Sequence, residues 1–276
     1  MSRNDNRLGA PQMPPIAQTN TTNSLLQYVA PTQFVELPSK GIPYPPEHPL
    51  CNKEAIEIKF MTAKDEDILS SQSLLKQGIA IDRFIENVVV DKDIKVSNML
   101  IGDKNAILLS ARISGYGNLY DTKVTCPNCS KIQEYSFDLN NAKTTNTVCS
   151  DDVKLNEKGN YVFTLPVSKI LLEIRLLTGD DESLIIKRAT KNKQQAEFSI
   201  IDQYKLMTVS ANEVTDRTQI NQFIELMPIR DSKKLLEVYK SVSPNVEIKD
   251  KFTCMSCGHE QELEVPFGAD FLWPNR

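Results

Sequence analysis

The chain has 276 residues, 40% of them hydrophobic and 25% charged, a composition that suits a soluble globular protein with one large or two ordinary domains. A net charge of −4 and a pI near 5.4 give no general attraction to nucleic acid or anionic membrane. No apolar run approaches the roughly 18 to 20 residues of a membrane span, and the polar start Met1-Ser-Arg-Asn-Asp-Asn lacks a secretory signal, so a reducing cytoplasm is expected.

Residues 1–33, rich in Asn, Gln, Thr and Pro, bury too little surface to offset their ordering entropy and read as a flexible N-terminal arm. Residues 34–53 carry prolines at 38, 43, 45, 46 and 49, which exclude helix and favour an extended, polyproline-like segment, with a turn at Pro38-Ser-Lys-Gly41. Ala55-Ile-Glu-Ile-Lys-Phe60 alternates as a strand does. Thr62 then caps a helix with Asp65-Glu-Asp67 in its first turn, running through Leu74-Leu75 to Gly78. Further helices are expected from Asp82 to Val90 and from Asp103 to Ser114, the latter ended by Gly115-Tyr-Gly117.

Two Cys-x-x-Cys turns follow in matched frames. Lys123-Val-Thr-Cys126-Pro-Asn-Cys129 runs into Gln133-Glu-Tyr, and Lys251-Phe-Thr-Cys254-Met-Ser-Cys257 runs into Gln261-Glu-Leu. Each reads as a strand, a thiolate turn and a returning strand. Two such turns supply the four soft ligands of a tetrahedral structural zinc, one per chain, at Cys126, Cys129, Cys254 and Cys257. His259, two residues beyond Cys257, reads as a solvated polar residue. Cys51 and Cys149 have no partner at ligand spacing and read as small, partly buried apolar residues.

What lies between the turns repeats what precedes the first. Glu57-Ile-Lys-Phe-Met-Thr62 matches Glu173-Ile-Arg-Leu-Leu-Thr178 at an offset of 116, and Asp103 with Ile107-Leu108 matches Asp231 with Leu235-Leu236 at an offset of 128, as for the cysteines. The chain therefore reads as α+β: two tandem strand–helix–thiolate-hairpin repeats, over 54–140 and 169–267, related by a pseudo-twofold and joined by a discontinuous zinc-ribbon-like site. Residues 141–168 connect them. The extra residues of the second copy are expected between Val209 and Gln219.

Motifs for catalysis are missing. With His48 and His259 the only histidines, no Ser-His-Asp or Cys-His arrangement is supported. Asp65-Glu-Asp67 and Asp180-Asp-Glu182 both follow a capping Thr, so they read as cap and dipole carboxylates. Gly115-Tyr-Gly117 is too short for a phosphate cradle, and Lys123, Lys131, Lys249 and Lys251 beside the thiolate turns make a weak phosphate surface. The C-terminal segment 268–276 holds Phe271, Leu272 and the only Trp; it either folds back on its own core or anchors a neighbouring subunit.

Leu37-Pro-Ser-Lys-Gly41, Met61-Thr-Ala-Lys-Asp-Glu-Asp-Ile-Leu69, Gly102-Asp103, Ser114-Gly-Tyr-Gly-Asn-Leu-Tyr120 and Val124-Thr-Cys-Pro-Asn-Cys129 occur in that order. This ordered set resembles the baseplate hub assembly proteins, or baseplate hub subunits, of T-four-like (T-even) contractile-tailed bacteriophages. The likeness is closest over 34–140 and looser over 169–276. It implies a non-enzymatic structural or chaperone-like protein that contacts other hub or tail proteins, in the host cytoplasm during assembly or in the virion tail baseplate. Neither a small-molecule substrate, nucleic acid nor membrane is implied. Two other readings compete. A zinc-ribbon nucleic-acid-binding or transcription-related module would shift DNA or RNA in a salt-dependent way, and a dithiol oxidoreductase would be metal-free with readily oxidised thiols.

Overall fold

The structure, a computed structural model, describes residues 30–145, 150–191, 200–265, 267 and 269–272, and its folded unit begins at Pro31. The architecture is α+β, with helices packed on small antiparallel sheets. The expected N-terminal arm, apart from its last residues, lies outside the described residues, as do Cys149 and Trp273.

Strand β1 (Thr32–Glu36) pairs antiparallel with β2 (Ala55–Lys59), Val35 opposite Ile56. Alternation works as the sequence implies: Val35, Ile56 and Ile58 are buried, while Phe34 faces outward. The proline-rich stretch between these strands is a succession of tight turns, not an extended track. Lys40 N–H donates to Leu37 O (2.9 Å), Ile42 N–H to Ser39 O (3.1 Å) and Cys51 N–H to His48 O (2.9 Å). Proline forbids helix but suits turns, and burial of Tyr44 and Leu50 folds the segment inward. Gly41, at φ 72°, is required there, since an added Cβ would meet Leu50 O at 2.4 Å.

Asp103 fixes this loop. Its buried carboxylate accepts from Ser39 N–H (3.0 Å), Ser39 Oγ (2.7 Å) and Tyr44 OH (2.7 Å), and the Tyr44 oxygen accepts in turn from Leu100 N–H (2.9 Å). Burial raises the Asp103 pKa despite these donors, and burial with the Asp103 charge raises that of Tyr44. Tyr44→Phe leaves Leu100 N–H unpartnered and removes one donor from Asp103. It is expected to cost about 1–3 kcal/mol, read as a lower urea midpoint at unchanged slope.

The helix expected from Thr62 to Gly78 is two helices, α1 (Ala63–Ser70) and α2 (Gln72–Gln77), broken at Ser71. The break falls in a run of serines: Ser70 Oγ bonds back to Asp67 O (3.2 Å), and Ser71 and Ser73 share a hydroxyl contact (3.0 Å). Thr62 and Asp65 form the capping box of α1, and Gly78 ends α2 in the left-handed region. Next, α3 (Ala80–Val88) buries Phe84, Ile85 and Val88, and Val89 returns beside Ile58. After a 3-10 turn at Val96–Asn98 comes α4 (Ile101–Tyr116), capped at Gly117. This helix runs through the core, burying Ile107, Leu108, Ala111 and Arg112. Arg112 donates to the carbonyls of Gly117, Leu119 and Phe271, each at 3.2 Å, and lies over the Tyr116 ring.

A hairpin follows, β3 (Leu119–Thr125) with β4 (Ile132–Asp138), then β5 (Lys143–Thr145). Strands β6 (Lys154–Leu155), β7 (Tyr161–Thr164), β8 (Leu171–Ile174) and β9 (Thr208–Ala211) form an antiparallel sheet in sequence order. Helices α5 (Gly179–Lys191) and α6 (Ile200–Met207) lie between β8 and β9; α7 (Arg217–Leu226) and α8 (Ile229–Val242) follow β9. Strand β10 (Asn245–Glu247) pairs with β5, and a second hairpin joins β11 (Lys249–Thr253) to β12 (Glu260–Glu264). Residues 269–272 of the C-terminal segment pack on the chain's own core: Phe271 and Leu272 are buried, and the Phe271 ring contacts those of Tyr120 and Phe267.

Candidate metal centre

Each thiol turn is closed by the same two backbone bonds. In the first, Ser130 N–H donates to Cys126 O (2.9 Å) and Cys126 N–H to Lys131 O (3.0 Å). In the second, Gly258 N–H donates to Cys254 O (2.9 Å) and Cys254 N–H to His259 O (2.8 Å). The residue after each second cysteine, Ser130 or Gly258, takes positive φ and reverses the chain. Both thiols of a turn thereby face the other hairpin.

The four sulfurs meet. Cys126 Sγ lies 3.7 Å from Cys257 Sγ, Cys129 Sγ 3.6 Å from Cys254 Sγ, and all four fall within 4.8 Å of one another. All four are free thiols. Four thiolates at ~2.3 Å from zinc sit about 3.8 Å apart at tetrahedral angles. The donor set and its spacing therefore fit a tetrahedral thiophilic ion. Cys126 and Cys254 are buried, whereas Cys257 is exposed. Beneath them Phe252, Val124, Tyr135 and Leu263 form a small apolar cluster, which Tyr135 and Leu263 join to the main core, the Tyr135 and Phe252 rings edge to face at 5.6 Å.

Gln133 is the functional side chain that spacing alone did not single out. Its Nε2 donates to Cys254 Sγ (2.8 Å), and its Oε1 accepts from Met255 N–H (3.1 Å). It thus reaches from the first hairpin to the second turn and presents a donor to a sulfur. The signal was present in the Gln-Glu that follows each cysteine pair, but a hydrogen bond across 121 residues leaves no local pattern. Asn128 Nδ2 approaches Cys257 Sγ at 3.6 Å, a weaker contact of the same sense.

The thiols are electrostatically unequal. Burial opposes ionisation of Cys254, but the N–H groups of Ser256 and Cys257 and the thiols of Cys257 and Cys129 outweigh it and bring its pKa down to about 6. Lys131 N–H favours the Cys129 thiolate, yet desolvation and the other three thiols push it up to about 11. A crowded set of sulfurs does not ionise together without a cation among them.

Other singled-out residues fall elsewhere. His259 lends only its carbonyl to the turn and is not among the clustered ligands. Cys51 packs, half-buried, against the main core. Asp65 accepts from Thr62 N–H and Oγ1, and Asp181 accepts from Thr178 N–H (2.9 Å) and bidentately from Arg175 (2.6 Å each), so both are occupied as caps. Hydrogen bonds from Arg175 and Thr178 outweigh burial and hold the Asp181 pKa low. Lys123, Lys249 and Lys251 each stand opposite a glutamate across their hairpins, which neutralises that face.

The fold and site together define an α+β protein whose two cysteine hairpins, far apart in sequence, close on one thiol cluster. The family model described as T4 bacteriophage base plate protein matches residues 32–273, which is nearly the whole folded unit, and the chain belongs to that family. No curated protein and no solved structure matches it. Membership makes it a structural protein of a T4-like phage tail baseplate, in contact with other baseplate proteins.

Proposed function

We propose that the protein is a non-enzymatic structural or assembly (chaperone-like) component of the baseplate hub, built from two copies of one unit and clasped by a single structural zinc. The observation that carries this reading is the convergence of four thiols, two from each half, within 4.8 Å. Cys126, Cys129, Cys254 and Cys257 are the zinc ligands in this reading. Zinc holds the halves together and takes no part in chemistry.

Matched hydrogen bonds support the duplication. Thr62 with Asp65 and Thr178 with Asp181 make the same cap, 116 residues apart. Asp103 and Asp231, 128 apart, each open a core helix and accept from the loop after a strand. Asp103 takes Ser39 N–H, whereas Asp231 takes Val167 N–H (2.7 Å) and Ser168 N–H (3.0 Å). Those loops read Leu37-Pro-Ser39 and Leu165-Pro-Val-Ser168, so β1 and β7 join the repeat upstream of the sequence-based boundaries. In the small cluster Val124 answers Phe252, and Tyr135 answers Leu263. The added residues of the second copy fit α7, which has no α-helical counterpart before α4, whereas the start of β9 answers to Val89, whose bridge to Ile58 matches the pairing of Thr208 with Ile174.

Tagged protein from phage-infected cells, with mass spectrometry of what co-purifies, tests the assembly role. Hub or tail proteins are expected, and their absence would count against it. Metal analysis of the same preparation is expected to find about one zinc per chain, the occupancy of one four-thiolate site. Metal-free protein with oxidised thiols would favour a dithiol oxidoreductase, and a salt-sensitive shift of DNA or RNA a nucleic-acid module.

A further inference from the structure

Strand β1 is the open edge of its sheet. Leu37 N–H donates to Glu54 O (2.8 Å) and Phe60 N–H to Pro31 O (2.8 Å), so the ladder to β2 runs through the odd residues 31, 33, 35 and 37. The even residues, Thr32, Phe34 and Glu36, therefore turn N–H and C=O away from β2. Among the described residues nothing bonds to those groups. The far side of β2, by contrast, is covered, with Val90 N–H on Glu57 O (3.1 Å) and Val89 beside Ile58. An open edge is a template for another strand, and this one presents Phe34, 75% exposed, where a protective lysine or proline is common.

The chain leading into this edge carries a complement to it. Ahead of Pro31 the sequence reads Ser24-Leu-Leu-Gln-Tyr-Val-Ala30, an apolar stretch in a polar arm. That stretch does not reverse onto its own β1 at Ala30-Pro31. A two-residue hairpin loop needs positive φ, whereas proline holds φ at about −65° and keeps the residue before it extended. A longer loop would consume the apolar residues themselves. The same restriction carries the strand straight on through Ala30. Pro31 leaves the open edge intact, because its missing N–H lies with the odd residues, on the β2 side.

We infer that two copies of the chain form a closed dimer in which residues 24–36 of each pair antiparallel about a twofold axis at Ala30. The free groups sit on even residues, so even must face even, and this register meets that condition. It also matches side chains of like kind. On the outer face Leu26 falls beside Phe34 of the other copy; on the inner face Leu25 falls beside Val35, and Val29 beside Pro31. A slip of two residues either way keeps the hydrogen bonds but sets Asn23 or Gln27 beside Val35. Both copies offer the same strand, so the pairing is isologous and stops at two chains. It depends on neither the duplication nor the metal.

Sedimentation velocity of the full chain across the micromolar range is expected to show monomer and dimer and nothing larger. Leu26→Asp and Phe34→Lys charge the two sides of one contact. Neither touches the core, since Leu26 precedes the folded unit and Phe34 is exposed. The contact occurs twice in each dimer, so either variant alone is expected to weaken association roughly tenfold. Mixed in equal amounts the two are expected to pair with each other, because one contact then opposes unlike charges and the other is native. A photo-crosslinker at position 26, in a mixture of heavy- and light-isotope chains, reports whose edge is occupied. Heavy-to-light links to the β1 peptide are expected. Links confined to one chain, a wild-type monomer, growth beyond two chains, or a mixture no more dimeric than either variant would each overturn the inference.

Discussion

Cys126→Ser is expected to release the metal from the whole molecule, and Cys254→Ser, in the other half, to do the same. Each removes one of four sulfurs that lie within 4.8 Å, and a three-thiolate remnant with an exposed Cys257 holds zinc poorly. Structural zinc in finger peptides carries roughly 10–16 kcal/mol of binding free energy, all of it coupled to folding. An ion bound here would close a loop of more than a hundred residues, above a small apolar cluster joined to the main core through Tyr135 and Leu263. Zinc per chain should fall from about one to a small fraction, with a melting temperature lower by roughly 10 °C. Both halves should respond, as hydrogen exchange in β3–β4 and in β11–β12 can read separately. Retention of half the metal, or loosening of one hairpin alone, would indicate separate or intermolecular sites.

Much of this centre was legible in the sequence because its determinants are local. A Cys-x-x-Cys turn, a capping Thr with Asp three residues on, and a glycine closing a turn are patterns of a few residues, and the second occurrence of each repeated the first. The rest depends on partners far along the chain. Proline spacing said "not helix" at residues 38–49, but only the burial of Tyr44 and Leu50 and the bonds to Asp103 decide that the segment coils into turns. Serines at 70, 71 and 73 carried a weak signal for the broken helix, outvoted by the apolar period around them. Arg112 and Lys104 look like ordinary surface residues of an amphipathic helix and are buried instead. The carbonyl of Phe271, 159 residues away, gives Arg112 its third partner. Of the tail, for which docking on itself and on a neighbour were both open, Phe271 is held within the chain by that carbonyl and by the Tyr120 ring.

Lys104→Met is expected to loosen the contact between α4 and α5, away from the cysteine hairpins. Lys104 leaves α4 with its side chain only 3% exposed, and its Nζ meets Asp82 at 2.7 Å and Glu182 at 2.6 Å. Glu182 belongs to α5. Methionine keeps the stem and volume, so the change isolates the charge. Breaking a fully buried pair costs several kcal/mol, but Asp82 and Glu182 are 22% and 40% exposed and regain some water. The expected cost is therefore about 2–3 kcal/mol, or a melting temperature lower by roughly 5–10 °C. The pH dependence has a definite sign. Burial disfavours the ammonium, yet Glu182 and Asp82 outweigh it and raise the Lys104 pKa above its ordinary value. A raised pKa gives stability that is complete below the unfolded value, about 10.4, and is lost as pH climbs through the folded one. The gap between wild type and Lys104→Met should then hold from neutrality to about pH 10 and close above it. A gap that is absent at neutrality, or that widens instead of closing above about pH 10, would mean that the ammonium, and with it the link from α4 to α5, does not stabilise the fold.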